Sequence, residues 1–507
     1  MHVLRLRIIL QSGDRELLDK RFRIMNRIHN VIVSHAFKLL RILRRNKEYK
    51  ALLKEYHAAE PDSNERKAVG KKLDAIRGCI GLTNNDIEKF AAVQAAKYRN
   101  HLSSQQVQKE ADRVWQGVEK VLYSNGKRIH YRKLRDMTTI CGKSETNGIQ
   151  LYAGPHDFLP KKVNRNGLPD GFLWCGRYFS LRIDHDDPYI KKSIKGKVAY
   201  CEIKRLAFND GWHYYLNIYL RGKAPLRHAV GDNETGIDYG TSTVAAFSGT
   251  KAFLRELAPL APSYEKEIYR LQRRIDRSKR MHNPDNYNQD GTIKKGRHKW
   301  AITKNCKRLQ QRLRTLHRKE AAYRKQSHEE LANELLAESS GFTVEPMDFS
   351  ALAKRAKETK RSDKASVVHG RDGAEKTVYK YKRKKRFGHS IHARAPGMFV
   401  EILKRKRDQY DLKYREINPW KFKASQYDHE ADKCIKCELK DRGKIIGGKA
   451  VQRDLYSAFL IRNTDGTLEH PDRDKCIKGF DDFVKVSTRE IETMKSNGIS
   501  RRECFGF

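Results

Sequence analysis

The sequence of 507 residues carries 106 Lys and Arg against 62 Asp and Glu, a formal net charge of +44 spread along the whole chain. A small domain needs only about 2 to 8 net charges for solubility, so the expected partner is a bulk polyanion, nucleic acid before any other. The length allows two or more domains with real cores, and no apolar stretch approaches the roughly 20 residues of a membrane span. The nine cysteines, scattered except for Cys434 and Cys437, argue against a disulfide framework.

The N-terminus MHVLRLRIILQSGD lacks a signal peptide's apolar block, so a soluble cytoplasmic protein is expected. Residues 2–10 read as a short strand with imperfect alternation. Leu18, Phe22, Met25, Ile28, Ile32, Ala36 and Leu39 then recur at helical spacing, predicting one long helix or a broken pair over 14–57. Pro61, Asp62 and Ser63 interrupt it, and helical patterns resume over 65–121. From 145 to 225 the runs FLWCGRYFSLRI, VAYCEIKRLAF and WHYYLNIYL predict an antiparallel sheet or small barrel whose aromatics are core or base-stacking surfaces. Further on, Ile268, Leu271 and Ile275, then Leu309, Leu313, Leu316, Leu331 and Leu335, flank the loop HNPDNYNQDGT as a basic helical hairpin over 263–336.

The chain's chemistry centres on GIDYG at 236–240, where Asp238 stands between glycines at the end of a predicted strand. A second acid, Glu345, follows the β-like run 341–344, and Asp454 opens the helical segment VQRDLYSAFLI. Three such carboxylates at one side of a mixed sheet can hold two hard divalent cations about 4 Å apart beside a phosphodiester. Asp348 rivals Glu345, and Asp465 or Asp472 rivals Asp454; spacing leaves these alternatives open.

In GIDYG, FTVEPMDFSALAKR, RKKRFGHSIHARAPGMFVEILKRK and QRDLYSAFLI, taken in this order, the chain resembles the TnpB family, transposon-associated ancestors of compact type V CRISPR nucleases. The resemblance implies an α/β multidomain protein in which a ribonuclease H-like RuvC nuclease domain joins an N-terminal lobe, itself a β-barrel wedge with an inserted helical recognition domain. It implies wedge segments at 1–12 and 145–232, recognition domain at 13–144, nuclease domain at 233–424 and 451–507, and a target-loading segment at 425–450. Asp238, Glu345 and Asp454 become catalytic metal ligands for Mg²⁺, with Mn²⁺ as the alternative, and Arg453 a nucleic-acid contact. The implied partners are a guide RNA with a structured scaffold and target double-stranded DNA, met at the nucleoid of a prokaryotic cell.

Family members carry two Cys pairs as a zinc ribbon between the second and third motifs. Here Cys434 and Cys437 have no returning pair, and His429 brings the ligands only to three of the four a tetrahedral site wants, so structural zinc is not expected. Lys382, Arg383, Lys384, Lys385 and Arg386 form a basic run placed to guide a strand toward the acids. His389 and His392 lack metal-binding neighbours and read as backbone or phosphate contacts. A guide-directed DNA-binding repressor without cleavage, and a transposase acting on DNA ends without RNA, are the alternatives; the last residues, 463–507, read as a basic tail.

Overall fold

The computed structural model describes residues 1–124, 126–143, 148–157, 168–208, 210–353, 361–369, 375–381, 387–436, 438 and 441–499. It is a mixed α/β protein of two compact units, Met1–Pro225 and Leu226–Phe507. Among the described residues no helix is long and apolar enough to cross a membrane.

The first unit is built on the strand His2–Ile9. Its alternation is cleaner than the sequence indicates: Leu4, Leu6 and Ile8 are buried while Val3, Arg5, Arg7 and Ile9 are exposed. The outward Val3 and Ile9 blur the pattern. The strand pairs antiparallel with Arg177–Arg182 on one side and Gly211–Leu220 on the other. The eight-stranded sheet runs from Thr139–Cys141 at one edge to His156–Asp157 at the other. Phe172, Trp174, Phe179 and Tyr214 are buried, so these aromatics of the β-rich region are core. Trp212 is half-buried beneath the Arg205 guanidinium, 4.3 Å from its ring centroid.

Between the first strand and the rest of the sheet lie five α-helices. The predicted long helix is a broken pair, Asp14–Arg45 and Lys47–Ala58. Asn46 makes the break: its backbone is extended, and its side chain accepts from the Tyr49 N–H at 2.8 Å. The stripe from Leu18 to Leu39 is buried throughout. Arg21, also buried, donates to the Trp174 and Cys175 carbonyls at 3.0 and 3.2 Å, tying the helix to the sheet.

A second tie is electrostatic. Glu110, on the helix Ser104–Tyr123, is 1% exposed and takes His29 at 2.7 Å, Arg113 at 2.9 Å and Arg132 at 3.0 Å. Burial opposes its ionisation, but the His29 hydrogen bond and the Arg113 and Arg132 charges outweigh it and hold the carboxyl below its usual range. Glu110→Gln should therefore cost about 2 kcal/mol at pH 7, less than a fully buried pair because both arginines are partly solvated. A depressed folded-state pKa stabilises above the unfolded value and ceases to do so as pH falls through the depressed one. Variant and wild type should thus converge in denaturation midpoint as pH drops into the acid range.

The second unit carries a five-stranded sheet in the order Ala252–Glu256, Thr243–Phe247, Asn233–Tyr239, Ser339–Val344, Lys413–Glu416. The first three strands are a meander; the last two join in parallel, each reached through helical connections. Ile237, Tyr239, Val244, Ala246, Phe342 and Val344 pack on one face with Leu331 and Leu335 of the helix Lys304–Glu338 and Phe399 of the helix Pro396–Tyr410. On the other face Ala245, Phe247, Ala252 and Leu254 meet the helices Arg453–Arg462 and Arg473–Ser496. The latter is no tail: Cys476, Phe480, Phe483, Ser487, Ile491 and Met494 are buried along one side. Ala261–His282 and the start of Lys304–Glu338 form the basic hairpin, closed by Ile268, Leu271, Ile275, Cys306, Leu309 and Leu316.

Candidate catalytic site

Side chains of a strand alternate, so in Asn233–Tyr239 Ile237 and Tyr239 enter one core while Gly236 and Asp238 face the other. The helix Arg453–Arg462 lies against that second face, and glycine at 236 lets it come close. A methyl there would overlap the Ala458 carbonyl oxygen and the Arg462 backbone nitrogen. Arg462 fastens the end of the helix by donating from Nε to the Glu234 carbonyl at 3.0 Å. The helix start, with Asp454 in its first turn, is therefore held on the side of the sheet that Asp238 faces.

The second acid arrives by register. Val344 pairs in parallel with Ile237, and the next N–H, that of Glu345, donates to the Ile237 carbonyl at 3.3 Å. Glu345 thus leaves its strand beside Asp238. The electrostatics record the convergence: burial, then the Glu345 charge, then the Asp454 charge push the Asp238 carboxyl well above the usual range, with Arg453 and Arg442 pulling it back. Burial also raises Glu345. Without a cation, like charges in a partly dry site favour holding a proton.

Asp454 is differently held. Its Oδ1 takes the Arg453 guanidinium at 3.1 and 3.0 Å, and its Oδ2 takes Arg442 at 3.1 Å and the Gln452 amide at 3.4 Å. Gln452 is also the N-cap, accepting from Leu455 N–H at 2.6 Å. Arg453 is 7% exposed and donates as well to the Asp441 carbonyl at 2.9 Å. Among the described residues no three of His, Cys, Asp and Glu stand in a metal-holding arrangement; the Asp454 carboxylate is turned to arginines. By donor chemistry three carboxylates suit a hard divalent cation, and positive charge placed beside Asp238 would lower its raised proton affinity.

The rival acids have local uses. Asp348 is exposed and accepts from the Ala351 N–H at 2.9 Å. Asp465 closes a turn onto Thr467, and Asp472 caps the final helix through Lys475 N–H. Cys434 lies exposed on the short strand Lys433–Cys434, while Cys437 lies outside the described residues. His429 is fully buried, with Nδ1 2.7 Å from the Tyr456 hydroxyl and its ring against Phe480. His389 is exposed, 3.1 Å from Glu265. Lys382, Arg383, Lys384, Lys385 and Arg386 also lie outside the described residues; the strands Arg361–His369 and Glu375–Tyr381 before them pair as a ribbon absent from the sequence reading.

Sequence reasoning missed Arg442 and Gln452, the Asp454 partners. A signal was present in IIGGKAVQ: Gly447 and Gly448 both take positive φ, turning the hairpin Gly443–Ile446/Lys449–Gln452. That hairpin brings the Arg442 carbonyl to the Arg453 N–H at 2.8 Å.

No family model and no curated protein matches the chain. Among solved structures it is similar to a protein of a Cas12f1–sgRNA–target DNA complex determined by cryo-EM, with 12% identity, TM-score 0.44, and coverage of 91% of this chain and 98% of that one. It also aligns with a chain of a CRISPR-Cas12f ternary complex, with 12% identity, TM-score 0.22, and coverage of 91% and 99%.

Proposed function

We propose that the chain is an RNA-guided DNA endonuclease of the TnpB type, cutting phosphodiester bonds at a single RuvC-like site. The observation that carries this reading is the Asp238 carboxyl, pushed upward by burial and by the Glu345 and Asp454 charges on a sheet face backed by a close-packed helix. Asp238, Glu345 and Asp454 would hold Mg²⁺, which when bound would supply an activated water and neutralise charge on the phosphate. Arg453 keeps the Asp454 carboxylate at the helix start. The three acids receive one strand at a time, leaving a 5′-phosphate and a 3′-hydroxyl. Both strands are cut in turn.

In this reading the first unit contains the wedge and recognition domains and grips a structured RNA and the guide–target duplex by shape and backbone charge, while base pairing selects the sequence. A short duplex motif beside the target is read by the same unit. The basic run 382–386 and the segment 425–450 load the strand. The protein works in the cytoplasm of a prokaryotic cell, on nucleoid DNA.

The test is to express the chain with its native flanking DNA and sequence the RNA that co-purifies. A defined RNA with a constant scaffold and a variable end is expected, and it should direct magnesium-dependent cutting of a matching duplex. Fragmented host RNA alone would sink the guided mechanism; a defined RNA with target binding but no cutting would make the protein a guided repressor.

A further inference from the structure

We infer that the first unit contains a nucleotide pocket between the C-terminal end of the helix Asp14–Arg45 and the segment that follows the helix Ser104–Tyr123. A cavity of about 350 Å³ opens there, within the ~300–1,000 Å³ typical of small-ligand sites. Its floor is apolar, made by Phe37, Leu40 and Val121, and its rim is four guanidiniums, Arg41, Arg44, Arg45 and Arg128.

The arrangement follows from sequence spacing. Phe37, Leu40, Arg41 and Arg44 step by three, one and three residues, so they lie on one side of the helix with the apolar members nearer the core. Arg128 is brought across by a turn at Gly126, whose N–H donates to the Lys120 carbonyl at 2.9 Å. A methyl at Gly126 would overlap that carbonyl, so the tight return needs glycine. The returning segment is then pinned. Ile129 is buried, and Asn26 and Asn30 both donate to the Arg132 carbonyl at 2.9 Å, while Asn30 accepts from the Arg132 N–H at 2.8 Å. The walls of the pocket are set by backbone.

No rim arginine has a carboxylate within ion-pair distance among the described residues. The macrodipole of the helix accounts for cations in its last turn, Arg44 and Arg45, but not for Arg41 a turn earlier or Arg128 on another segment. Four like charges around one opening repel, and an anion relieves that repulsion. A bare phosphate would leave the floor of Phe37, Leu40 and Val121 unused. A nucleotide uses both parts, laying its base on the apolar floor and its phosphate among guanidiniums that accept it through paired N–H donors. The nucleotide is either free or a unit turned out of an RNA strand, and the inference stands on the pocket alone.

Binding of AMP, inorganic phosphate and a short single-stranded RNA should be compared between the full-length protein and Arg44→Gln/Arg128→Gln, with Arg41→Gln/Arg45→Gln as an independent pair. All four positions are exposed, so the fold should be unaffected. AMP affinity should fall about tenfold or more in either pair, the loss expected of one strong charge-assisted contact. Phe37→Leu should weaken AMP while leaving inorganic phosphate unchanged. If RNA is weakened together with AMP, and its log–log salt slope flattens by about 1.4 for two contacts at roughly 0.7 each, the natural occupant is an extruded RNA nucleotide. If RNA is unaffected, the occupant is a free nucleotide. RNA weakened without AMP would reduce the pocket to a backbone contact and overturn the inference, as would AMP binding that is absent from wild type or indifferent to both pairs.

Discussion

Asp238→Ala should lower target cleavage on the order of a thousandfold while leaving guide-dependent DNA binding within a factor of about two. A metal ligand supplies several kcal/mol of transition-state stabilisation, each ~1.4 kcal/mol being tenfold in rate. The substitution removes a metal ligand and none of the basic side chains that would carry affinity, so binding and cutting should separate. Cleavage at the wild-type rate by a folded variant would remove Asp238 from the chemistry. The same site supplies a second readout that needs no substrate. The Asp238 carboxyl is raised in the folded chain by burial first and then by its acidic neighbours. A raised acid destabilises the fold as pH climbs from the unfolded pKa toward the folded one, because unfolding then releases a proton. In chelator, Asp238→Asn should therefore melt above wild type, with a gap that widens as pH climbs through that window. A constant gap would mean that the Asp238 carboxyl is not raised in the folded chain.

What could be read from the sequence was local. The buried stripe of the first helix, its possible break before 57 and the β-rich character of 145–225 all follow from spacing between near neighbours. Even the face on which Asp238 stands follows from alternation with Ile237 and Tyr239. The register that sets Glu345 beside it does not: Val344 pairs with Ile237 across two long helices, and nothing local encodes that alignment. Other features are legible in local spacing. Phe480, Phe483, Ser487, Ile491 and Met494 keep helical spacing through 473–496, and that spacing, not a basic tail, describes the segment. Gly447 and Gly448 mark a two-residue hairpin, and closing it sets Arg442 beside Arg453 and hence near Asp454.

Gly236→Ala should destabilise the second unit by about 3 kcal/mol, the upper end for overpacking, because the atoms in the way are backbone rather than pliable side chain. The new methyl meets the Ala458 carbonyl and the Arg462 backbone nitrogen, so relief requires the whole helix Arg453–Arg462 to move off the sheet. That helix carries Leu455, Phe459 and Leu460 into a core shared with Phe247 and Phe483, and it carries Asp454 at its start. Hydrogen exchange should show lost protection in 233–247 and 453–462, with 2–9 unchanged because it belongs to the other unit. Gly466→Ala is the control: nothing lies within 4 Å of its added methyl, so its effect should stay within about 0.5 kcal/mol. Cleavage should fall in Gly236→Ala although every carboxylate is intact, since the substitution displaces Asp454 rather than removing it. If the variant keeps both protection and cutting, the close approach of helix to strand at Gly236 is not what joins Asp454 to Asp238, and the geometry of the site has to be carried by the Arg442 and Arg453 contacts instead.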